Sequence, residues 1–425
     1  MAAKSLTPQD AYAIINLLVK EATGQDATIQ AVNSSTFVSV GETVLSTGTE
    51  NVLNALSRVL GRTFMAVRPY DAKLALINAI DTGMYTDRMR KISFYSKDAQ
   101  ASGWFNTNLY TQHANGLDNG VNRIYNGSIS PTGGLGNMWE QNQAMPFEVN
   151  FSGRDVWDDS LTVYENQLKV AFRGEREFLD FIGGIMTEKG NDIESQKEAF
   201  NRMTVLNFIA GLYDLNQSGS KVDLKAAFNT KFGTSYTSAQ LLSTYYKDFL
   251  QFMVARIKTD SEYMRIRSKK YHVPFTKTVG GVDYSILRHT PKDRQRMLIY
   301  APLVIDAEAQ VFSEIFNPEY LDINQYEKVT HWQNINDPSA IDVTPAIPNT
   351  SDPSEQTAGS RVQLDTVIGV LYDEDALMID YQMDSSYSTP VEARKGYRNI
   401  WWHFAKNSIN DFSENGILYY LGNDA

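Results

Sequence analysis

The sequence contains no cysteine, which excludes disulfides, thiolate metal sites and a cysteine nucleophile together. Histidine is nearly as scarce, with five scattered through 425 residues, so most metal and acid–base arrangements are hard to build. No apolar run approaches the ~18 residues of a transmembrane helix, and no membrane partner is expected. Met1-Ala2-Ala3-Lys4-Ser5 leads into a helix signal without the apolar segment of a signal peptide, which favours the cytoplasm. Positive charge is also short: 39 Lys and Arg stand against 50 Asp and Glu, a formal net charge of −11. That balance argues against a dedicated nucleic-acid binder, because affinity for phosphate comes largely from clustered cations. Rings are what the chain has in excess, with 23 Tyr, 20 Phe and 6 Trp. Tyr-rich surfaces suit protein–protein contact, although many of these rings must be core. A chain of this length exceeds what one hydrophobic core holds, so two or more lobes are expected.

The C-terminal stretch reads most clearly. Val367–Tyr372 is a short apolar run, Asp373-Glu374-Asp375 interrupts it, and Ala376–Gln382 resumes it. Tyr397–Phe404 carries bulky rings on both faces of an extended strand, and Gly416–Leu421 closes the chain as another strand. A strand aromatic on both sides has to be covered on both sides. Upstream, Thr7-Pro8-Gln9-Asp10 starts a helix that ends near Gly24. Thr36–Leu45 reads as a weak strand, and Thr47-Gly48-Thr49-Glu50 is a capping box ahead of a second amphipathic helix stopped by Gly61. Met89–Ser96 and Met145–Ser152 are alternating strands. The segment between them is rich in Asn and Gly and carries Trp104, Phe105, Tyr110, Tyr125 and Trp139. A hairpin tip has little core of its own, so these rings, with Phe147 and Phe151, are the candidate intersubunit contacts. Helices follow from Gly174 to about Gly190-Asn191 and from Ile193 to about Leu215, then a long one capped by Thr237. Met297–Ile305 reads as a buried strand, with Asp306 capping the helix after it. Ser339–Ser360, punctuated by Pro345, Pro348, Pro353 and Gly359, reads as an exposed loop.

No catalytic constellation emerges. The glycine-dense Pro131–Asn137 lacks the Lys-Ser/Thr of a phosphate loop and reads as a flexible tip. Asp155, Asp158 and Asp159 could form a carboxylate pair for glycosidic hydrolysis, but neighbouring aspartates read better as turn-formers. His331 and His403, each beside a tryptophan, have no partner at metal-ligand spacing. No enzyme activity, cofactor or metal is therefore expected. One basic cluster stands out, Arg265, Arg267, Lys269 and Lys270, followed by Arg288, Lys292, Arg294 and Arg296. It reads either as a surface balancing nearby acids or as a patch facing DNA or an acidic partner chain.

The order of strand, acidic turn, strand, long aromatic strand and terminal apolar strand resembles the major capsid proteins of tailed bacteriophages, which have the Hong Kong 97 type of fold. Among these it is similar to the capsid chains of small picovirus-like podoviruses, which end in a similar Trp/Tyr-rich strand. The resemblance implies an α+β fold in five parts. Residues 1–62 correspond to an N-terminal arm and 63–157 to an extended loop with a long insertion. Residues 158–225 correspond to a peripheral domain with a spine helix broken at Gly190-Asn191, 226–382 to an axial domain, and 383–425 to strands returning to the peripheral domain. The long segment before Met145 is where this sequence departs from the smaller relatives. The implied function is a structural protein that self-assembles into the icosahedral or prolate head shell around a phage genome. The implied partners are further copies in pentameric and hexameric capsomers, portal, scaffolding or decoration proteins, and packaged double-stranded DNA contacted weakly and without specificity. The implied place is the virion capsid, assembled in the host bacterial cytoplasm. Without cysteine, cross-bracing is left to non-covalent contacts or to Lys–Asn links such as some relatives form, and the sequence identifies no such pair. A cellular encapsulin shell of the same fold and a glycan-binding or glycan-hydrolysing protein remain the alternatives; neighbouring terminase and portal genes, or a cargo enzyme, would separate the two shells.

Overall fold

A computed structural model describes residues 8–23, 31–46, 74, 77–79, 88–97, 145–152, 155–164, 167, 175–217, 219–279, 282–310, 325–349 and 355–423. In chain order the helices are α1 (Pro8–Thr23), α2 (Ser34–Ser46), α3 (Glu175–Leu215), α4 (Leu224–Phe232), α5 (Ser238–Leu241), α6 (Tyr246–Met264) and α7 (Ala301–Gln310). The strands before the long helix are β1 (Asn78–Ala79), β2 (Arg88–Phe94), β3 (Ser96–Lys97), β4 (Pro146–Ser152) and β5 (Asp155–Tyr164). Next come β6 (Lys221–Asp223), β7 (Thr276–Val279), β8 (Val282–Ser285), β9 (Gln295–Tyr300) and β10 (Gln325–Val329). The short β11 (Ile341–Val343), β12 (Ala346–Pro348), β13 (Gln356–Ala358) and β14 (Val362–Leu364) follow. The chain closes with β15 (Thr366–Asp373), β16 (Leu377–Ser388), β17 (Tyr397–Asn410) and β18 (Gly416–Leu421). Two compact units result, one from Met1–Asp87, Gly153–Met203 and Ile379–Ser408, the other from Arg88–Ser152, Thr204–Met378 and Ile409–Ala425.

The first unit is built on a four-stranded sheet in the order β1-β16-β17-β5. β17 runs antiparallel to β5, from Tyr397 opposite Tyr164 to Lys406 opposite Asp155. Its period of two sends Ile400, Trp402 and Phe404 into the core. Trp157 stacks on Phe404 (5.3 Å between centroids) and meets Phe200 of α3 at 4.7 Å. Both faces of β17 are not covered equally, since Trp401 on the opposite face remains 37% exposed. In α1 and α2, Ile15, Leu18 and Phe37 are buried, and the Asn16 amide donates to the Ala31 carbonyl (3.1 Å) while its oxygen accepts from the Ala31 N–H (2.8 Å).

The second unit centres on a five-stranded sheet in the order β10-β9-β15-β18-β6. β15 is antiparallel to β9 and to β18, whereas β9–β10 and β18–β6 are parallel. The two central strands are apolar nearly throughout, as strands covered on both faces must be. Phe249, Met253 and Ile257 of α6 pack into the same core as Ile368, Leu371, Ile417 and Tyr419. Gly369 follows a register shift in β15, and a Cβ there would lie 2.7 Å from the Leu298 carbonyl oxygen, so only glycine lets the two strands pair.

Several expectations are corrected. Thr36–Leu45 belongs to a helix, not a strand, because Asn33 and Thr36 cap it reciprocally: the Asn33 side-chain oxygen accepts from the Thr36 N–H (2.9 Å) and the Thr36 hydroxyl from the Asn33 N–H (3.0 Å). The spine helix is unbroken, running through Gly190 and Asn191 as part of a single 41-residue helix. Asp155, Asp158 and Asp159 lie within a strand rather than a turn. The helix capped by Thr237 stops at Leu241, and the long helix begins afresh at Tyr246. α7 starts at Ala301, so Asp306 lies inside it and does not cap it. The Ser339–Ser360 loop contains β11, β12 and β13; β11 pairs with β14 and β12 with β13. The helix expected after Thr49 lies outside the described residues.

Candidate assembly surfaces and the anchor of the hairpin

β2 and β4 pair antiparallel from Arg88 opposite Ser152 to Phe94 opposite Pro146, and the ladder extends to a Tyr95 N–H bond to the Met145 carbonyl (3.0 Å). Strand alternation gives this hairpin two unlike faces. Arg90, Ile92 and Phe94 point outward, with Ile92 52% and Phe94 63% exposed. Lys91 and Ser93 point inward with Phe147 and Val149. Phe147 stacks on Phe275 and meets Tyr95 edge-on, both at 5.3 Å. Phe147, expected at a subunit contact, is therefore covered by its own chain, and Phe151 is half-buried opposite Met89. Trp104, Phe105, Tyr110, Tyr125 and Trp139 lie outside the described residues.

The inward face is tied to the turn between β17 and β18. Asp411, Phe412, Ser413, Glu414 and Asn415 are all buried, which is unusual for a turn and for two carboxylates. Lys91 Nζ reaches Asp411 Oδ2 at 2.5 Å and Glu414 Oε1 at 2.6 Å. Arg288 Nε lies 3.2 Å from the same Glu414 oxygen and donates to the Ser413 carbonyl, while its Nη2 donates to Ser93 Oγ at 2.8 Å. Two cations thus meet two carboxylates in a largely buried site, Lys91 reaching out from the inner face of β2 and Arg288 bonding to that face at Ser93. Burial pulls the Lys91 ammonium down, but Asp411 and Glu414 outweigh it and hold its pKa above the ordinary value. Burial pushes Asp411 up, yet Lys91 and the Ser413 hydrogen bonds leave it below the usual carboxylate range. Glu414 is raised, because burial exceeds what Lys91 and Arg288 return.

A second chain of polar groups continues from this turn. Asp373 accepts from the Thr290 hydroxyl (2.8 Å), Thr290 Oγ1 accepts from the Asn415 amide (3.1 Å), and Asn415 Oδ1 faces His272 Nδ1 at 3.2 Å. His272 Nε2 faces the Ile286 carbonyl at 3.1 Å. Both ring nitrogens meet acceptors, and a neutral imidazole can donate to only one. Burial nevertheless holds the ring neutral, pushing its pKa down to about 4.

The basic cluster is partly neutralised. Arg265 and Lys292 share Glu262 (2.7 and 2.5 Å), Arg294 pairs with Asp375 and Arg296 with Glu374. Arg267 and Lys269 rest on the hydroxyls of Ser96 and Ser285, and Lys270 lies over the rings of Tyr263 and Tyr271. His403 meets the ring of Tyr387 edge-on at 5.7 Å. Among the described residues no group of three or more His, Asp or Glu could hold a metal ion, and no helix is long and apolar enough to cross a membrane. The anchor was missed in the sequence, where Asp411-Phe412-Ser413-Glu414-Asn415 looks like any solvated turn; the one signal is a lysine on the apolar side of an alternating strand.

The family profile described as Phi29-like phage major capsid protein matches residues 154–420. No curated protein matches the chain by sequence. Among solved structures, a chain in the capsid of Staphylococcus phage Andhra is 10% identical at a TM-score of 0.48, the match covering 83% of this chain and 84% of that one. A chain in the capsid of cyanophage P-SCSP1u is likewise 10% identical at 0.40, covering 82% and 87%. The profile takes in β5, the long helix, the five-stranded sheet but for Leu421, and the buried turn. The chain belongs to the Phi29-like phage major capsid protein family, and builds a phage shell from an α+β architecture.

Proposed function

We propose that copies of this chain close into pentameric and hexameric rings and thence into the head shell, using the outward face of the β2–β4 hairpin as a contact strip. The observation that carries this is the asymmetry of the hairpin: Lys91 and Arg288 pin one face while Ile92 and Phe94 stand exposed on the other. Apolar side chains held rigidly in water are what a recurring interface uses, because the ordering cost is already met before association. The intervening rings, Trp104, Phe105, Tyr110, Tyr125 and Trp139, extend the same contact in this reading. Residues 1–62 act as an arm, 63–157 as the extended loop, 158–225 with 383–425 as the peripheral part and 226–382 as the axial part. Portal and scaffolding or decoration proteins are the further partners. Packaged double-stranded DNA is contacted weakly and non-specifically, in line with the net charge of −11 and the pairing of the basic cluster. Assembly takes place in the host bacterial cytoplasm. The test is Phe94→Asp. Exposed substitutions shift stability by within about 0.5 kcal/mol, so circular dichroism and melting of the unassembled chain should match wild type, while electron microscopy finds few or no shells. Shells in normal yield would remove the hairpin face from the interface.

A further inference from the structure

The four-stranded sheet of the first unit ends at β5, and among the described residues no strand pairs with its outer edge. Ten residues is long for an unpaired edge, which proteins ordinarily shorten, break with proline or cover. The direction its backbone groups face follows from its neighbour. Asn399 and Tyr397 of β17 use their carbonyls on the side away from β5, accepting from the Thr389 N–H (3.0 Å) and the Glu392 N–H (2.9 Å). In an antiparallel ladder a residue and the one opposite it either exchange both bonds or both turn away. Thr162 and Tyr164, opposite Asn399 and Tyr397, therefore turn their N–H and C=O groups out of the sheet, as do Val156, Asp158 and Ser160 at the same alternation. Side chains take two of these groups: the Ser160 N–H donates to Asp159 Oδ1 (2.7 Å) and the Tyr164 N–H to Gln167 Oε1 (3.4 Å). Those of Val156, Asp158 and Thr162 have no partner among the described residues, and all three residues are exposed.

The sequence of this edge is complementary to itself. Paired antiparallel about Ser160, two copies place Val156 opposite Tyr164 and Asp158 opposite Thr162. Val156 is 59% and Tyr164 45% exposed in the single chain, and an aromatic ring opposite a β-branched side chain is a favourable cross-strand pair. Tyr164 already leans on Tyr397 of the same face at 5.7 Å, so its ring is placed before any partner arrives. A centre at Asp158 would instead set that carboxylate against its own copy. The other two aspartates are compensated within the chain, Asp159 by Lys189 (3.0 Å) and Asp155 by Lys406 (3.3 Å). We infer that β5 of one copy pairs antiparallel with β5 of another about a two-fold axis through Ser160, joining two four-stranded sheets into one. Asp159 releases the Ser160 N–H on pairing and keeps Lys189; until then its cap blunts the edge of the unassembled chain. Closing a ring takes a head-to-tail contact, so this two-fold contact links neighbouring rings. It rests on the shell reading given above.

The chain has no native cysteine, so a single substitution reports the register. Ser160→Cys sets its thiol opposite that of the other copy, at a Cα separation of about 5.5 Å that a disulfide spans. Shells of this variant are checked by electron microscopy, oxidised and run on a denaturing gel without reductant. Covalent dimer and nothing larger is expected. Asp158→Cys and Thr162→Cys, each displaced from its counterpart by about 13 Å along the strand, should stay monomeric. Intact Ser160→Cys shells that yield only monomer, or dimer formed equally by Asp158→Cys, would overturn the pairing and leave the shell function standing. Loss of shells in wild-type protein would instead count against the shell function. If Ser160→Cys does not assemble, hydrogen exchange on wild type decides. The amides of Val156, Asp158 and Thr162 should exchange at least tenfold more slowly in shells than in the unassembled chain, and equal rates would refute the contact.

Discussion

Replacing Lys91 with Met should loosen the hairpin without unfolding the unit that carries it. In the native state the Lys91 side chain is 20% exposed, against 2% for Asp411 and 10% for Glu414. Removing one partner of a buried ion pair costs about 3–5 kcal/mol, chiefly because the other charge is left uncompensated. Arg288 still faces Glu414 in the variant, and water can enter where the ammonium was, so the low end applies, about 3 kcal/mol. Asp411 takes most of that loss, since Lys91 is its only cationic partner among the described residues. Hydrogen exchange measured amide by amide is the appropriate assay, because it reports local opening separately from global unfolding. Amides of residues 88–97 and 145–152 should exchange roughly a hundredfold faster, at 1.36 kcal/mol per factor of ten, while those of β15 and β18 change little. The double variant Lys91→Met, Asp411→Asn removes both charges and should recover at least half of the loss. Exchange in the single variant within threefold of wild type, or no recovery in the double variant, would show that packing around Phe147 alone anchors the hairpin.

Acid should weaken the same unit through His272. Its pKa is lowered to about 4 in the fold against about 6.5 unfolded, so between those values the unfolded chain binds more protons and stability falls as pH falls. The loss approaches ~3 kcal/mol by pH 4; denaturation midpoints of wild type and His272→Gln across that window should diverge in slope, and parallel curves would refute it. Trp402→Ala should cost about 3–5 kcal/mol in folding, whereas Trp401→Ala, from the more exposed face of the same strand, should cost under about 1 kcal/mol; equal losses in thermal or urea melts would contradict the assignment of faces. Duplex DNA should bind weakly at physiological salt, and changing Arg267 and Lys269 to Ala should alter that little; tight binding lost in the variant would restore the cluster as a DNA-facing patch.

What the sequence reveals here follows the range of the forces involved. Val367–Tyr372, Leu377 onward, Tyr397 onward and Gly416–Leu421 were legible because strands buried on one or both faces need apolar runs or strict alternation, and each carries its own signal. The β2–β4 hairpin was legible for the same reason. Thr36–Leu45 misled because its β-branched residues suggest a strand, while a cap formed by Asn33 and Thr36 decides for helix. Gly190-Asn191 looks like a stop, yet the helix continues where Ile193 is buried and Phe200 packs on Trp157 of β5, and packing exceeds the roughly 1 kcal/mol penalty of one glycine. Pro345, Pro348 and Pro353 suggested an open loop, but short edge hairpins tolerate proline where no ladder N–H is needed. The anchor was least legible of all. Lys91 and Asp411 are 320 residues apart, and no local pattern records that a turn of polar residues will be enclosed.

The enclosure has a consequence for a chain that builds a shell. A two-stranded hairpin is marginal by itself in water, and the inner face of this one offers Phe147 and Val149 but also Lys91 and Ser93. Apolar contact alone is non-directional and would let such a ribbon slide or tilt. Ionic and hydrogen bonds at Lys91 and Ser93, two residues apart on one strand, set position and direction together. The site contributes little net stability, since the desolvation of Glu414 opposes the gain. What it supplies is orientation: if Ile92 and Phe94 form the contact strip proposed above, every copy presents them at the same angle, and an error of angle that one contact could absorb would be repeated at each equivalent contact around a closed shell. A lysine in a strand that could have been wholly apolar is therefore explained by assembly more readily than by folding.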